Sequence, residues 1–339
     1  MIPRTKEQAE IAALRSAPFI LFAVLFLLFG LLEPKFISPA TFTNIVTQAS
    51  YIGIMAVGMT FVLLVAGIDL SVGSVMYLSA TVGGGWLLAD GFPIPVAVAG
   101  ALLVGLAVGT VNAFLITRVG VIAFLTTLAM LVVVRGLALT ITKSEAITFP
   151  DEITRLGSTR ILGLIPAPIV IFLSVVVVGH IVLTRTAFGR QVYAVGNDKE
   201  AASKAGINVG RLIASVYIVC GVLASLGGIV NVVQLGSVHP SFGEGIEFDV
   251  IAACVLGGVS LFGGRGSVFP GAVIGALFVP MINAGLQAID VEIYLRAPAF
   301  AVVIFIAVLM DSLRNRQLAK LSRRYIRVEN PSLEQATAS

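Results

Sequence analysis

The sequence predicts an all-α polytopic membrane protein, and three properties of the chain support this fold class. Of its 339 residues, 58% are hydrophobic and only 12% are charged, whereas about 25% of the residues in a soluble domain are charged. The mean hydropathy is +1.02. Apolar runs of about 20 residues, long enough to cross a bilayer as helices, recur from end to end. Domain counts based on the length of soluble chains therefore do not apply.

The apolar runs predict about ten transmembrane helices with both termini in the cytoplasm. An even number of spans puts both termini on one side, and the segments on that side hold 16 of the 22 Lys and Arg residues. This excess identifies the cytoplasmic side. The eighth run is short, so nine or eleven spans remain alternatives. The predicted spans are 17–32, 45–67, 70–89, 94–116, 120–141, 168–184, 212–235, 248–262, 268–289 and 298–313.

The first apolar run could be mistaken for a secretory signal peptide. It is followed by Glu33, Pro34 and Lys35, where a signal peptide would have a small-residue cleavage site, so we interpret it as a retained span. The predicted organisation is a cytoplasmic N-terminal segment at 1–16, a transmembrane domain at 17–315 and a basic cytoplasmic tail at 316–339.

The stretch GIDLSVGS at 67–74 lies between two membrane-length apolar runs with almost no loop between them. Its glycines relieve backbone restriction, and its carboxylate and hydroxyl oxygens can cap freed helix N–H groups. Non-helical backbone near a membrane survives only where protein or water satisfies it. The motif is therefore either a tight turn at the membrane surface or a broken helix inside it, and Asp69 either caps a helix or acts in gating. The residues of this motif are Gly67, Asp69, Ser71, Gly73 and Ser74.

A second glycine-rich stretch, 258–267, echoes the 67–74 motif. Both contain a Gly, a Leu three residues later and a terminal Gly-Ser pair. Related halves, each with an interrupted segment, are typical of transporters that place a path between repeats. The pattern predicts a weak internal two-fold repeat, and chance similarity in a chain with 35 glycines is the alternative.

The hydrophilic loop at 184–211, predicted on the cytoplasmic side, has the pattern of a short surface helix. Asn197 or Asp198 can cap such a helix, and Gly206 can end it. Its basic residues could be topology signals only, but a helix held between two spans is a natural docking element for another protein, which we favour. The helix residues expected to be exposed are Glu200, Ala201, Ala202 and Lys204.

Two loops are predicted on the opposite, outer side, at 142–167 and 236–249. The first is long enough to fold over the outer mouth of the bundle, and a solvated connection is an equal alternative. The second contains the pair His239-Pro240, which marks a turn more readily than a ligand site. Arg135 lies near the outer end of its span, and we interpret it as a topology or packing residue.

Uncharged polar side chains inside the spans are candidates for a solute path. Asn231 and Gln234 lie three residues apart and Asn283 and Gln287 lie four apart, so each pair shares a helix face. Amides offer donors and acceptors, as the hydroxyls of a sugar require, whereas hydrogen bonding between helices is the alternative. The candidate substrate path comprises Gln48, Asn231, Gln234, Asn283 and Gln287.

No catalytic or metal-binding constellation is present in the sequence. It has no GxxxxGK[ST] phosphate loop, so we expect no ATP hydrolysis by this chain. His180 and His239 lack metal-ligand spacing, and Cys220 and Cys254 read as buried thiols. The net charge of +4 is distributed as a topology signal, and we predict no nucleic-acid partner. An enzyme is therefore disfavoured.

Three segments together resemble bacterial ABC-transporter permeases of the ribose and monosaccharide type, the branched-chain amino acid/sugar permease family. They are VAGIDLSVGS at 65–74, AVGNDKEAASKAGINVGR at 194–211 and AACVLGGVSLFGGRGSVFPGAVIGALFVPMINAG at 252–285. Their order and spacing agree with the family over about residues 17–315. The 67–74 motif matches the signature turn of that family.

The resemblance implies the permease subunit of an ATP-driven importer in the bacterial inner membrane, which translocates a ribose-like pentose or a hexose. It implies a second permease copy or paralogue, a cytoplasmic ABC ATPase, often with two cassettes in one chain, and a periplasmic or lipid-anchored sugar-binding protein. The permease binds no cofactor, and ATP is used by the partner ATPase. The coupling loop on that ATPase would comprise Asn197, Asp198, Glu200, Ala201, Ala202, Lys204, Gly206 and Asn208.

A secondary carrier or channel for a small neutral solute is the alternative function. It is weakened because no chain of buried acids is available for proton coupling. It also leaves the patterned loop at 184–211 without a role. The sequence names neither the sugar nor whether the partner permease is identical, because a separate binding protein selects the solute in this mode of import.

Overall fold

The predicted all-α polytopic class is confirmed by the computed structural model, which describes residues 17–161, 163–296, 298–302, 305, 306 and 309. The predicted segments 1–16 and 316–339 lie outside the described residues, as does half of the predicted span 298–313. Within these described residues, six helices are long and apolar enough to cross a membrane, so this is a multi-pass membrane protein. They are Pro39–Leu64, Ile94–Val119, Ala123–Thr142, Ala167–Arg185, Val209–Leu235 and Val268–Ala288.

The helices follow one another with short connections and four two-residue strands. The helices are α1 Ala17–Leu32, α2 Pro39–Leu64, α3 Val72–Ala80, α4 Ile94–Phe114, α5 Ala123–Thr142, α6 Asp151–Ser158, α7 Ala167–Arg185, α8 Ala187–Asn197, α9 Lys199–Lys204, α10 Val209–Leu235, α11 Ile246–Leu256 and α12 Val273–Ala288. The π-helical segments Thr81–Leu88, Leu115–Val119 and Val268–Ala272 extend α3, extend α4 and precede α12. The strands are β1 Ile147–Thr148, β2 Arg160–Ile161, β3 Ile165–Pro166 and β4 Ser237–Val238.

In the described part of the chain, the first nine predicted spans each contain a helix, but three of those helices are shorter than the six long ones. The helix α1 has 16 residues. In the predicted span 248–262, α11 ends at Leu256, because Gly257 and the residues after it form an irregular turn. In the predicted span 70–89, the α-helical part is only Val72–Ala80. The count of about ten therefore stays a prediction.

The centre of the bundle is α2, in which every residue from Ile52 to Leu64 is buried. A helix that is apolar on all sides is expected in the middle of a bundle. Against it packs α10, which also meets α4 at very close range. Gly105 and Gly109 of α4 lie directly against the backbone of Gly221 in α10. Small residues four apart let two helix backbones approach in this way.

The ends of α10 define two ends of the bundle. Its first residue, Val209, follows α9, and its last turn contacts α6, where Gly157 packs on the carbonyl of Val233. At 1.5 Å per residue, these ends are about 40 Å apart. We call them the α9 end and the α6 end.

The loop at 142–167 folds over the α6 end instead of being a solvated connection. Its strand β1 pairs with β4 in antiparallel register, with Ile147 opposite Val238. The ring of Phe149 lies against Gly84, which has no side chain to displace it. The helix α6, which belongs to the same loop, packs on α10. Through these contacts the loop covers the ends of α3 and α10.

Candidate functional site

The 67–74 motif forms the break between α2 and α3. The helix α2 ends in a Schellman motif: Ala66 adopts a left-handed conformation with φ 58°, and Ala66 N and Gly67 N donate to the carbonyls of Leu63 and Val62 at 2.9 and 3.0 Å. The next residues enter the bundle. The hydroxyl of Tyr217 donates to Ile68 O at 3.3 Å, and Tyr217 lies about 12 Å along α10 from its first residue. The motif is therefore a helix break inside the bundle, with only its first corner at the surface.

Asp69 is the centre of a buried hydrogen-bond network. Its side chain is 1% exposed, and its Oδ1 accepts from the backbone N and the Oγ of Ser71, at 2.9 and 2.6 Å. The Nδ2 of Asn112, in α4, donates to the same Ser71 Oγ at 3.0 Å. Within the described residues, the buried Oδ1 of Asn112 has no hydrogen-bond partner. Asp69 thus stabilises the turn before α3, whose N-cap residue is Ser71, and Ser71 ties that turn to α4.

Further contacts attach the break to α5. The hydroxyl of Thr127 donates to Ile68 O at 3.3 Å, and Ser74 Oγ donates to the carbonyl of Leu131 at 2.7 Å. With Tyr217 and Asn112, the break is held by α4, α5 and α10. A displacement of any of these helices therefore acts directly on the start of α3.

The two motif glycines are required for close approach and not for backbone freedom, which corrects the sequence-based interpretation. Neither has a positive φ, and the left-handed residue of the turn is Ala66. A Cβ on Gly67 would lie 2.5 Å from the hydroxyl of Tyr217, and one on Gly73 would collide with the carbonyl of Gly243. Sequence alone could not reveal this, because the colliding atoms come from distant segments.

The contact at Gly73 shows that the predicted outer loop 236–249 does not stay at the outer surface. Its residues 239–245 descend into the bundle from the α6 end to reach the start of α3. Arg135 holds this descent: its guanidinium donates to the carbonyls of Pro240 and Phe242 at 3.3 and 3.4 Å and lies 5.6 Å from the ring centre of Tyr77. Arg135 is thus a packing residue, one of the two roles proposed for it.

A second helix break, at 257–267, separates α11 from α12 and uses the same ending as α2. Gly258 is left-handed with φ 87°, and Gly258 N and Val259 N donate to Val255 O and Cys254 O at 2.8 and 2.9 Å. The structural counterpart of Ala66 is therefore Gly258. The two breaks touch: the N–H of Gly264 donates to Leu64 O at 2.9 Å.

The predicted short helix in the 184–211 loop exists as α9. Asp198, and not Asn197, is its cap, because Asp198 Oδ1 accepts from Glu200 N and Ala201 N at 2.9 and 3.0 Å. Gly206 ends it with φ 86°. The following residues begin α10, whose first turn is capped by Asn208 Oδ1, 3.0 Å from the backbone N of Arg211.

One residue of this loop was assigned wrongly to the exposed surface. Glu200 and Lys204 are exposed and form an ion pair at 2.9 Å, and Ala201 is exposed as well. Ala202 is only 4% exposed and belongs to the main core cluster. A helix of this length lying on a protein surface buries one side, and Ala202 is the residue on that side.

The sequence interpretation missed α8, which connects α9 to both helix breaks. Val192 and Val195 bury its inner face, Gly196 lies against Leu64 O, and the hydroxyl of Tyr193 donates to Gly266 O at 2.7 Å. Partial burial raises the pKa of Tyr193 above its ordinary value, so the hydroxyl remains a donor. The spacing of Phe188, Val192 and Val195, with Thr186 as a cap, was the signal that could have predicted this helix.

The five candidate path residues differ in burial and in their contacts. Asn231 is buried, and Gln234 Nε2 donates to the carbonyl of Thr47 in α2 at 3.0 Å, which is the interhelical role weighed as the alternative. Gln48, Asn283 and Gln287 are exposed on the side of the bundle. Among the described residues, these amides form no hydrogen bond with one another.

Comparison with known proteins shows which family this chain represents. The family described as "Branched-chain amino acid transport system / permease component" matches residues 41–313. The chain is 40% identical to the ribose import permease protein of Escherichia coli (strain K12), over 85% of this chain and 91% of that one.

Two further relatives are a D-allose transport system permease protein of Escherichia coli (strain K12) and a fructose import permease protein of Rhizobium meliloti. Each is 35% identical over 87% of this chain, and 90% and 84% of their own lengths are covered. No solved structure matches the chain. The extent of the family match and these identities establish that the chain belongs to the branched-chain amino acid transport system permease family.

Proposed function

We propose that this chain is the permease subunit of an ATP-driven importer and that it translocates a monosaccharide, a ribose-like pentose or a hexose. The names of its relatives, which are import or transport permeases for ribose, D-allose and fructose, support this substrate class. The observation that carries the proposal is the connection from exposed α9, through α8, to both helix breaks. A self-sufficient carrier would have no use for that connection, and no observation favours it.

In this mechanism, the partner ATPase docks on the coupling loop, residues 197–208. Of the residues predicted to contact the ATPase, the buried Ala202 anchors α9 from below. The exposed ones are Asn197, Asp198, Glu200, Ala201, Lys204, Gly206 and Asn208. Closure of the ATPase displaces α9, and α8 transmits this movement to the point where Leu64 and Gly264 meet. Both breaks share that point, and α3 follows the first break whereas α11 precedes the second. These two short helices therefore move together.

The path for the solute is proposed to be completed by a second permease, either a copy of this chain or a paralogue. The exposed amides of Gln48, Asn283 and Gln287 support this, since they offer donors and acceptors to sugar hydroxyls from a surface that a single chain leaves open. A periplasmic or lipid-anchored sugar-binding protein would deliver the solute at the α6 end. The chain itself binds no cofactor, and the partner ATPase consumes the ATP.

The topology that accompanies this function is about ten spans in the bacterial inner membrane, with both termini and α9 in the cytoplasm. The distribution of Lys and Arg supports it. The shared Schellman endings at Ala66 and Gly258 support the proposed two-fold repeat, and Asp69 is proposed to stabilise the break against opening.

The test begins with purification of the tagged protein from its native membranes in mild detergent, with partners identified by mass. Recovery of an ABC ATPase and a binding protein is the expected result, and uptake of labelled ribose, allose and fructose by cells then ranks the sugars. Uptake that persists after ATP depletion, from a protein that purifies alone, would overturn the importer in favour of a secondary carrier.

A further inference from the structure

A large apolar cavity lies at the α6 end, beneath the folded loop at 142–167. Its volume is about 420 Å³, and its lining is almost entirely carbon. Side chains from six elements enclose it, among them Ala80, Ala97, Ile153, Ile161, Ile171 and Val230. The cavity therefore lies between the ends of α3, α4, α7 and α10.

A cavity of this size and composition favours a bound apolar molecule. Protein interiors contain few voids larger than a water molecule, and an apolar cavity of about 150 Å³ already takes up benzene while staying dry. The neighbouring helices α4 and α7 expose apolar side chains such as Leu103 and Val177, so lipid chains are the surrounding solvent. The natural occupant is an aliphatic chain.

The segment at the mouth of the cavity carries apolar side chains and exposed charges of both signs. Ile171 is 38% exposed, and Leu156 and Ile161 are also exposed at the rim. Arg155 and Arg160 directly adjoin Leu156 and Ile161 in sequence and are exposed. Neither arginine forms an ion pair in the described part of the chain. Guanidinium groups bind phosphate with bidentate geometry, so these two arginines are the groups of this segment that would contact the phosphate of a phospholipid.

We propose that this cavity is a phospholipid-binding site, with one acyl chain among the lining side chains and the phosphate at Arg155 and Arg160. The acyl chain completes the packing between α3 and α10 under the cover formed by α6. The site is independent of sugar transport and does not rest on the function proposed above.

The test uses photo-crosslinking of the full-length protein in nanodiscs containing phosphatidylglycerol with a diazirine on one acyl chain. Labelling is expected to concentrate on lining residues such as Ile229 and Val233. Ile171→Trp blocks the mouth and is expected to lower that labelling roughly tenfold. This is the change in affinity expected when about two methylene groups of the acyl chain are no longer buried. The matched control is Ile181→Trp, an exposed position on the same helix that does not line the cavity.

A second pair of variants tests the phosphate. Arg155→Gln with Arg160→Gln is expected to lower the labelling several-fold, whereas Lys35→Gln, which removes a charge elsewhere, leaves it unchanged. Equal labelling of the Ile171→Trp and Ile181→Trp proteins would overturn the site. Full labelling without the two arginines would overturn the contact of Arg155 and Arg160 with the phosphate.

Discussion

The amide of Gly264 donates a hydrogen bond to the carbonyl of Leu64 at 2.9 Å, and this bond joins the two helix breaks of the molecule. Leu64 ends α2 before one break, and Gly264 lies within the other. Gly196 of α8 packs against the same carbonyl. A single carbonyl oxygen is therefore the meeting point of both breaks and of the surface helix that leads to α9.

Gly196→Ala tests this junction. Helix propensity favours alanine by about 1 kcal/mol, but the new methyl would collide with Leu64 O, which is backbone and cannot rotate away, and overpacking costs about 1–3 kcal/mol. We expect ATP-driven uptake to fall roughly tenfold, equivalent to about 1.4 kcal/mol, while the protein still inserts. The measurement is sugar uptake normalised to the amount of protein in the membrane.

The matched control is Gly210→Ala, the same change on α10 near the same end. Its nearest neighbour is Asn208 Oδ1, 3.9 Å from the added methyl, so uptake should be unchanged. Equal losses in the two variants would show that the contact with Leu64 O is not a coupling contact.

The network at Asp69 predicts that a neutral acceptor is sufficient at this position. Asp69→Asn keeps an oxygen for both hydrogen bonds from Ser71, whereas Asp69→Ala leaves a buried N–H and a hydroxyl without that acceptor, which costs about 1–3 kcal/mol for each group. Thermal unfolding in detergent should therefore shift little for Asn and strongly downward for Ala. Uptake should follow the same order.

A different result at Asp69 would separate gating from capping. If Asp69→Asn retained the stability of the native protein but lost uptake, the negative charge itself would be needed, and the residue would act in gating. A parallel measurement on Ser71→Ala, which removes the link to Asn112 but keeps the carboxylate, shows how much of the effect passes through α4.

Local rules predicted much of this molecule and failed where distant segments meet. The cap at Asp198 and the stop at Gly206 were predictable because each depends on a few neighbouring residues. The contact of Gly73 with Gly243 was not predictable, since the two residues are far apart in the chain and the loop containing Gly243 was expected at the outer surface. Apolar periodicity identifies segments that enter a membrane, but not how deeply a polar loop descends between them.

Burial on the surface helix α9 shows the same limit. The pattern that predicts α9 does not say which side of the helix faces the bundle, because two alanines lie side by side in it. The structure buries Ala202 and exposes Ala201. This difference decides how a docking experiment must be designed.

The requirement for glycine at 67 is testable by a double-mutant cycle with Tyr217. Gly67→Ala places a methyl 2.5 Å from the Tyr217 hydroxyl, and overpacking of this kind costs about 1–3 kcal/mol. Tyr217→Phe removes one hydrogen bond to Ile68 O, worth about 1 kcal/mol. Because the second change removes the atom that collides, the double variant should be less destabilised than the sum of the two singles.

The cycle is measured as unfolding temperature in one detergent for all four proteins. A coupling of about 1 kcal/mol in the favourable direction is expected for residues in direct contact. Additive losses would mean that Gly67 is needed for a reason other than Tyr217, and Val62, 3.3 Å from the same added methyl, would be the next partner to vary.

Docking at α9 is tested by placing the same charge on its two sides. Ala201→Arg puts a long cation on the exposed side, beside the Glu200–Lys204 ion pair, and leaves the bundle untouched. We expect insertion and thermal stability to be retained while copurification of the ATPase and uptake are lost. Ala202→Arg forces a charge into the core, where an unpaired charge is very unfavourable, so this variant should lose stability as well as binding.

The measurements are the amount of protein in the membrane, its unfolding temperature and the quantity of ATPase recovered with it. The unfolding temperature distinguishes Ala202→Arg from Ala201→Arg. The quantity of recovered ATPase shows whether the exposed side of α9 is the docking surface. Ala201→Arg that recovers the native quantity of ATPase would place the docking surface elsewhere. In that case no ATPase would displace α9, and α8 would have no movement to transmit. The contact between Leu64 and Gly264 would then only stabilise the two helix breaks.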